Sequence, residues 1–151
     1  MRQLLFNHDD MVADWVKQRL PIQPKNGTFG PFRAIGVLVG NTLCAGVVYN
    51  NLTDDMRDCH MTIAADNPKW CGRLILRALF DYPFNQLGVS RVTAMTNQKN
   101  KKAKDLLKRL GFQHEGCIRY YHNPNEGALI YGMLKSECLW IRDTVNHVEP
   151  I

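Results

Sequence analysis

The chain has 151 residues, of which 45% are hydrophobic and 22% are charged, values typical of a globular protein. A chain of this length can bury roughly 68–70% of its unfolded surface, so its core needs no disulfide or metal to hold it. No apolar run approaches the ~20 residues of a membrane-spanning helix. The start of the chain turns acidic at Asp9 and Asp10, unlike a signal peptide. We therefore expect a soluble, cytoplasmic protein with a single domain over residues 1–151.

Cysteine and histidine residues give no sign of a disulfide framework or a metal site. The five cysteines are odd in number and contain no C-x-x-C pair. Four of the five histidines show no zinc-ligand spacing with these cysteines. These histidines are His8, His114, His122 and His147. We expect no bound metal.

The net charge of +5 is concentrated in one segment. The segment from Lys99 to Arg109 contains six lysine or arginine residues and one aspartate, so its own net charge of +5 equals that of the whole chain. Such a concentrated patch indicates one anionic ligand or partner. A solvated helix face is the alternative reading, and the sequence leaves both open.

The first half of the chain predicts one helix followed by three strands. Apolar residues at helical spacing end before Pro21, and the Pro- and Gly-rich segment 21–31 is typical of a loop. Two apolar runs then flank the dipeptide Gly40-Asn41, which predicts a tight β-hairpin. The predicted helix covers residues 9–20, and the predicted strands cover residues 32–39, 42–49 and 59–65.

The second half predicts two helices and three strands. Asn67 and Pro68 are typical of an N-cap and a first helical position, and the helix that they open must end or kink near Pro83. Asn100 is expected to cap a second helix that Gly111 ends. The strands are predicted at residues 89–96, 112–121 and 128–134. Because helices and strands do not alternate strictly, we expect an α+β fold with a mixed, mostly antiparallel central sheet flanked by helices.

The segment from Asn100 to Gly116 reads N-K-K-A-K-D-L-L-K-R-L-G-F-Q-H-E-G, and it is followed by Arg119 and a strand ending in Y-G-M-L. This pattern resembles the GNAT superfamily of N-acetyltransferases, and in particular the branch that acetylates ribosomal-protein alanines, with its short prophage-encoded relatives. The resemblance extends from about residue 32 to residue 140. It implies the GNAT acyl-CoA N-acyltransferase fold, acetyl-CoA as co-substrate, and direct transfer of the acetyl group to a primary amine.

The resemblance also implies where acetyl-CoA would bind. Phosphate groups favour helix N-termini and nearby cations, which the two predicted helix starts provide. The strand before the first of these helices would contribute backbone contacts to the acyl group. Asn100 is equally explained as a plain N-cap, and both roles can coexist. The expected contact residues are Thr62, Ile63, Trp70, Cys71, Gly72, Arg73, Asn97, Asn100 and Lys102.

Three positions depart from the family pattern. Trp70 stands where the phosphate loop usually has glycine, so the loop is expected to be reshaped or held farther from the phosphates. Leu107 replaces the tyrosine that often serves as general acid, and Ala103 replaces a frequent serine. Acid catalysis from those two positions is therefore absent.

Acyl transfer to an ammonium group needs a base, and expulsion of the thiolate needs an acid. His60 lies on the strand before the phosphate loop and titrates near pH ~6.5 when unperturbed, so it is the candidate base, directly or through water. Tyr120, with Tyr121 next to it, is the candidate acid. Packing roles are the alternatives for these residues. Glu115 is expected to pair with Arg119 or to position an amine, and an acyl-cysteine route through Cys71 is a minor alternative.

Three functions remain open at this stage. The first is acetyl-CoA-dependent N-acetylation of a protein N-terminus, a lysine, a small amine or a nucleobase amino group. The second is a catalytically silent acyl-CoA-binding or interaction module, suggested by Trp70, Ala103 and Leu107. The third, not favoured, is a nucleic-acid-binding protein, since no aromatic-interleaved basic platform is present. No membrane partner is expected, and either a monomer or a homodimer is compatible with the sequence.

Overall fold

A computed structural model describes residues 1–20 and 27–142 of the chain. Its seven strands form one sheet in the order β1-β2-β3-β4-β5-β7-β6, in which only the β4–β5 pair is parallel. The strands are β1 Arg2–Leu5, β2 Phe32–Val39, β3 Thr42–Asn50, β4 Asp58–Ala65, β5 Arg91–Asn97, β6 Gln113–Asn123 and β7 Glu126–Leu134. The helices are α1 Asp9–Lys17, α2 Arg73–Asp81 and α3 Lys101–Leu110. The mixed, mostly antiparallel α+β sheet predicted from the sequence is confirmed.

Local turn chemistry produced the most accurate predictions. β2 and β3 are joined by Gly40 and Asn41, and Gly40 has φ +63°, a backbone conformation in which a Cβ atom is strained. The Asn100 side chain accepts a hydrogen bond from the Ala103 amide at 3.1 Å and so caps α3. Gly111 ends this helix at φ +105°.

The prediction that a helix starts at Asn67 and Pro68 is wrong. Asn67 caps only a single 3₁₀ turn, Pro68–Trp70, by accepting a hydrogen bond from the Lys69 amide at 2.8 Å. Cys71 and Gly72 are then extended, and α2 begins at Arg73. At its other end α2 continues into a π-helical segment, Tyr82–Leu87, which absorbs the predicted kink at Pro83.

Two further differences concern the N-terminal region. β1 was not predicted, because four residues that pair with β2 leave almost no periodic signal. α1 ends at Lys17 rather than Leu20. Part of the loop predicted at residues 21–31 lies outside the described residues, as does His147.

The two faces of the sheet bury separate apolar clusters. α2, the π-helical segment and α3 cover one face, where Cys59 and Met61 of β4 are buried among side chains of these helices. α1 covers part of the opposite face, and Ala64 of β4 packs in that smaller cluster with Val12 and Val16. No helix in the described part of the chain is long and apolar enough to cross a membrane.

Candidate active site

The two parallel strands at the centre of the sheet separate half-way along their length. β4 and β5 pair only from Asp58 and Arg91 to His60 and Thr93, although β4 continues to Ala65 and β5 to Asn97. Beyond that point the facing edges carry backbone N–H and C=O groups that the sheet does not pair. Unpaired backbone groups need another partner, so this V-shaped cleft can accept an extended ligand that hydrogen bonds along it. Both Thr62 and Ile63 lie in the separated part of β4.

α2 is the first α-helix after β4, which it follows through the 3₁₀ turn Pro68–Trp70, and its N-terminus has no side-chain cap. Its N-cap residue, Gly72, contributes no side-chain hydrogen bond, so the first N–H groups of the helix remain available to an anion. Three cations surround this point. Lys69 and Arg73 flank it in sequence, and Arg2 of β1 donates a hydrogen bond to the Lys69 carbonyl at 2.6 Å. A Cβ atom built on Gly72 would lie 2.9 Å from Nη1 of Arg2.

Trp70 is directed away from this helix terminus. Its side chain is 3% exposed and belongs to the main apolar cluster, and Cys71 packs against the same cluster. The tryptophan therefore anchors the loop between β4 and α2 to the apolar core.

The N-terminus of α3 is already capped. Asn100 uses its side-chain oxygen for the Ala103 amide, while Lys102 is exposed in the first turn. The Asn97 side chain accepts a hydrogen bond from the Lys99 amide at 2.9 Å and donates to Glu126 at 3.3 Å. Asn97 thus holds the turn between β5 and α3, and of the two helices α2 offers the more open anion site.

His60 occupies the last paired position before the strands separate. It shares the α1-side face of β4 with Thr62 and Ala64, whereas Cys59 and Met61 point into the core on the other face. The Asn51 amide lies 3.3 Å from Nδ1 of His60 and, by turning over, can pair with either imidazole tautomer. Partial burial lowers the pKa of His60, with the nearby Arg91 guanidinium acting in the same direction and the Asp58 carboxylate opposing it.

An ion-paired network lies next to His60 on the same sheet face. Thr93 is only 6% exposed and donates from Oγ1 to Oδ1 of Asp58 at 2.8 Å. Arg91 donates to Thr93 Oγ1 at 3.0 Å and to Oε1 of Glu115 at 2.9 Å. The expected Glu115–Arg119 pair is therefore wrong: Glu115 lies at an irregularity in the β6–β7 register, between His114 and Gly116, and its carboxylate pairs with Arg91.

Tyr120 lies at the same end of the sheet as the cleft. Ile118 of β6 and Asn97 of β5 both pair with Ala128 of β7, and the chain beyond Ile118 loses regular pairing until Asn123. Within this irregular stretch Tyr120 has φ +66° and is 71% exposed. β6 is two strands from β5, or roughly 10 Å.

Solved structures with this arrangement include several N-acetyltransferases. A variant of the spermidine N-acetyltransferase SpeG from Vibrio cholerae superposes with a TM-score of 0.69 at 16% identity, covering 91% of this chain and 96% of that one. The ribosomal-protein-S18-alanine N-acetyltransferase from Escherichia coli gives a TM-score of 0.65 at 20% identity, covering 89% and 94%. The chain has the GNAT acetyltransferase fold.

At these identities the likeness establishes the GNAT fold alone. A ribosomal-protein-S5-alanine acetyltransferase from Vibrio fischeri gives a TM-score of 0.60 at 21% identity, over 71% of this chain and 63% of that one. No protein-family model and no curated protein sequence matches the chain.

Sequence reasoning missed two groups of residues around this cleft. Arg2 is brought to α2 by β1, a contact between residues 67 positions apart that no local pattern signals. Asn51 and the network of Asp58, Thr93 and Arg91 depend on strand register, which fixes which side chains share a face. Alternation along 59–65 does reveal that His60 and Thr62 point the same way.

Proposed function

We propose that this protein is an acetyl-CoA-dependent N-acetyltransferase that transfers the acetyl group directly to a primary amine. The observation that carries the proposal is the separation of β4 from β5 after His60, together with the uncapped N-terminus of α2, the first α-helix that follows β4. An elongated ligand with an anionic end and hydrogen-bonding groups along its length fits both features.

The anionic end of the cleft suits the phosphates of acetyl-CoA. The free N–H groups of α2, Arg2, Lys69 and Arg73 would hold them, because N–H donors and cations converge there. Lys102, exposed in the first turn of α3, would add long-range attraction.

When bound, acetyl-CoA supplies an activated acetyl thioester. The backbone of Thr62 and Ile63 in the separated part of β4 would orient the acyl group through N–H and C=O groups that the sheet leaves unpaired. His60, next to them, would accept the proton of the incoming ammonium, directly or through a water. Because its pKa is lowered, the imidazole is still neutral, and can still accept that proton, at pH values below the ordinary titration range of histidine.

The acid step needs a group that can give a proton to the departing thiolate. Leu107 is buried in the core and its hydrocarbon side chain has no acidic proton to give, whereas Tyr120 presents an exposed phenol at the cleft end of the sheet. We propose that Tyr120 protonates the departing thiolate.

Acetyl-CoA binding is tested by thermal unfolding. A ligand that binds only the native state adds about 2.7 kcal/mol to the free energy of unfolding when its concentration is 100 times its Kd. Gly72→Val is the matched variant: Gly72 has φ −141°, which valine adopts freely, but a Cβ there displaces the Arg2 guanidinium. The native protein should be stabilised by millimolar acetyl-CoA and Gly72→Val much less. Equal stabilisation of both would contradict this placement of the phosphates, and none in either would contradict the proposal.

Catalysis and acceptor are tested together by thiol release over an amine panel. The neighbours' names supply spermidine and an alanine N-terminal peptide of a ribosomal protein, and lysine peptides, small amines and nucleosides complete the set. Amine-dependent thiol release identifies an enzyme and its acceptor class. Acetyl-CoA binding without release from any amine would favour the catalytically silent module instead.

A further inference from the structure

A second cavity lies at the end of the sheet opposite the acetyl-CoA cleft. It is an open cavity of about 880 Å³ beside the first residue of β5, Arg91, and the last residue of β7, Leu134, which are cross-strand partners. β4 and β5 separate beyond Thr93, so the cleft extends from there toward Asn97 and away from Arg91, and roughly 7 Å of strand lies between Arg91 and the point where the cleft opens. A ligand in the cleft therefore does not fill it.

Four cations line this cavity, from the β3–β4 loop, the start of β5 and the segment after β7. They are Arg57, Arg91, Lys135 and Arg142. No carboxylate lines it among residues 1–20 and 27–142.

Two of these cations already form ion pairs with carboxylates that do not line the cavity. Arg91 pairs with Glu115, and Arg57 approaches the exposed Asp55 at 3.4 Å. Lys135 and Arg142, in contrast, have no carboxylate partner within the described part of the chain. Two positive charges that line one cavity repel each other, and an anion bound between them would offset that repulsion.

Hydrogen bonds fix the positions of the cavity walls. The amides of Ser90 and Arg91 both donate to the Arg57 carbonyl at 3.0 Å, and the Lys135 amide donates to the Ser90 carbonyl at 2.8 Å. Nη2 of Arg142 donates to the Ser136 carbonyl at 3.4 Å. The three segments that carry the cations are thus tied to one another, which reduces the ordering cost of binding a ligand between them.

The remaining lining is partly apolar. Leu134 is 44% exposed, and Ile141 is half-buried beside it. The Ser136 hydroxyl also lines the cavity and can donate a hydrogen bond to an oxygen acceptor, whereas the Ser90 hydroxyl already donates to the Arg57 carbonyl at 3.2 Å. A charged end and an apolar end are therefore both available to one ligand.

We propose that this cavity binds a small organic anion, whose phosphate or carboxylate group is held by Lys135, Arg142 and the Ser136 hydroxyl. Its apolar part packs on Leu134 and Ile141. This site is separate from acetyl-CoA binding and does not depend on the acetyltransferase activity.

Titration of the ¹⁵N-labelled full chain locates the site. Inorganic phosphate, phenyl phosphate and benzoate are added separately, and amide shifts are followed at Ser90, Ser136 and Cys138. We expect saturable shifts there, with phenyl phosphate binding at least several-fold tighter than phosphate because its ring covers exposed apolar surface. Comparison of benzoate with phenyl phosphate tells whether a carboxylate or a phosphate is preferred.

Paired variants test the cations. Lys135→Ala/Arg142→Ala removes two exposed side chains and should weaken phenyl phosphate binding tenfold or more, while Lys108→Ala/Arg109→Ala removes equal charge from α3 and should leave it unchanged. Folding is checked from the rest of the amide spectrum. Equal weakening in both pairs, shifts confined to the N-terminus of α2, or no saturable shifts with any probe would each overturn the proposal.

Discussion

His60 is the residue on which the proposed chemistry depends most. If it accepts the ammonium proton, His60→Ala should lower kcat by roughly 10²–10⁴ and leave the Kd for acetyl-CoA nearly unchanged, since its role is to move a proton. Steady-state kinetics and calorimetric titration on the same preparation measure both quantities.

A neighbouring residue on the same face provides the matched control. Thr62→Val keeps the β-branched shape and the backbone, so it should retain kcat within a few-fold. A His60→Ala variant that is destabilised without a selective loss of kcat would instead assign His60 a packing role.

The charges beside His60 set the pH range of the reaction. Burial lowers its pKa, Arg91 acts in the same direction, and Asp58 opposes them. The acidic limb of kcat/KM should therefore inflect below the ordinary histidine pKa of ~6.5. In Asp58→Asn, which retains an oxygen for Thr93, the limb should move to still lower pH.

The same lowered pKa has a consequence for stability. The unfolded chain binds the His60 proton more readily than the folded one, so the histidine costs no stability above pH ~6.5 and an increasing amount as pH falls below it. His60→Gln should flatten this acid-side decline in the free energy of unfolding.

If the acidic limb of kcat/KM in Asp58→Asn moved to higher pH, the electrostatic account of His60 would be wrong.

At the scale of one element, the cap of α3 separates two roles of Asn100. Its Oδ1 accepts from the Ala103 amide, and no described residue pairs with its Nδ2. Asn100→Ala should cost about 1 kcal/mol of unfolding free energy, a fall of roughly 2–4 °C in Tm, and should also weaken acetyl-CoA binding. Asn100→Ser should restore the stability, because serine caps well, but not the affinity. Recovery of both by serine would make Asn100 a cap alone.

The elements also differ in how far the sequence predicts them. α3 was predicted from Asn100 to Gly111 because its cap, apolar spacing and C-terminal glycine are all local. α2 was misplaced at its start because the burial of Trp70, a long-range contact, breaks the helix that Asn67 and Pro68 favour. The face of His60 follows from alternation, but its partners Asn51 and Asp58 required the strand register.

Across the whole molecule, charge is divided between the two faces of the sheet. α2 and α3, which cover one face, carry seven of the 19 lysine and arginine residues, and five of these seven lie in α3. α1, on the other face, begins with Asp9 and Asp10 and also contains Asp14. An anionic ligand is therefore attracted toward the face on which the N-termini of α2 and α3 lie.

This polarity predicts how salt affects acetyl-CoA binding. Raising ionic strength from 50 to 500 mM should weaken the affinity by on the order of tenfold, because exposed cations are screened. Lys108 lies about 10 Å along α3 from Lys101, roughly one Debye length at 0.1 M salt, so its contribution should be smaller.

Two double variants separate these contributions by calorimetric titration at several salt concentrations. Lys101→Ala/Lys102→Ala should weaken binding at low salt and flatten the salt dependence, whereas Lys108→Ala/Arg109→Ala should change both much less. The charge removed is the same in each pair, so net charge cannot explain a difference between them. Equal effects would mean that the basic face attracts acetyl-CoA only through its total charge, and a larger effect of the second pair would place the phosphates at the far end of α3.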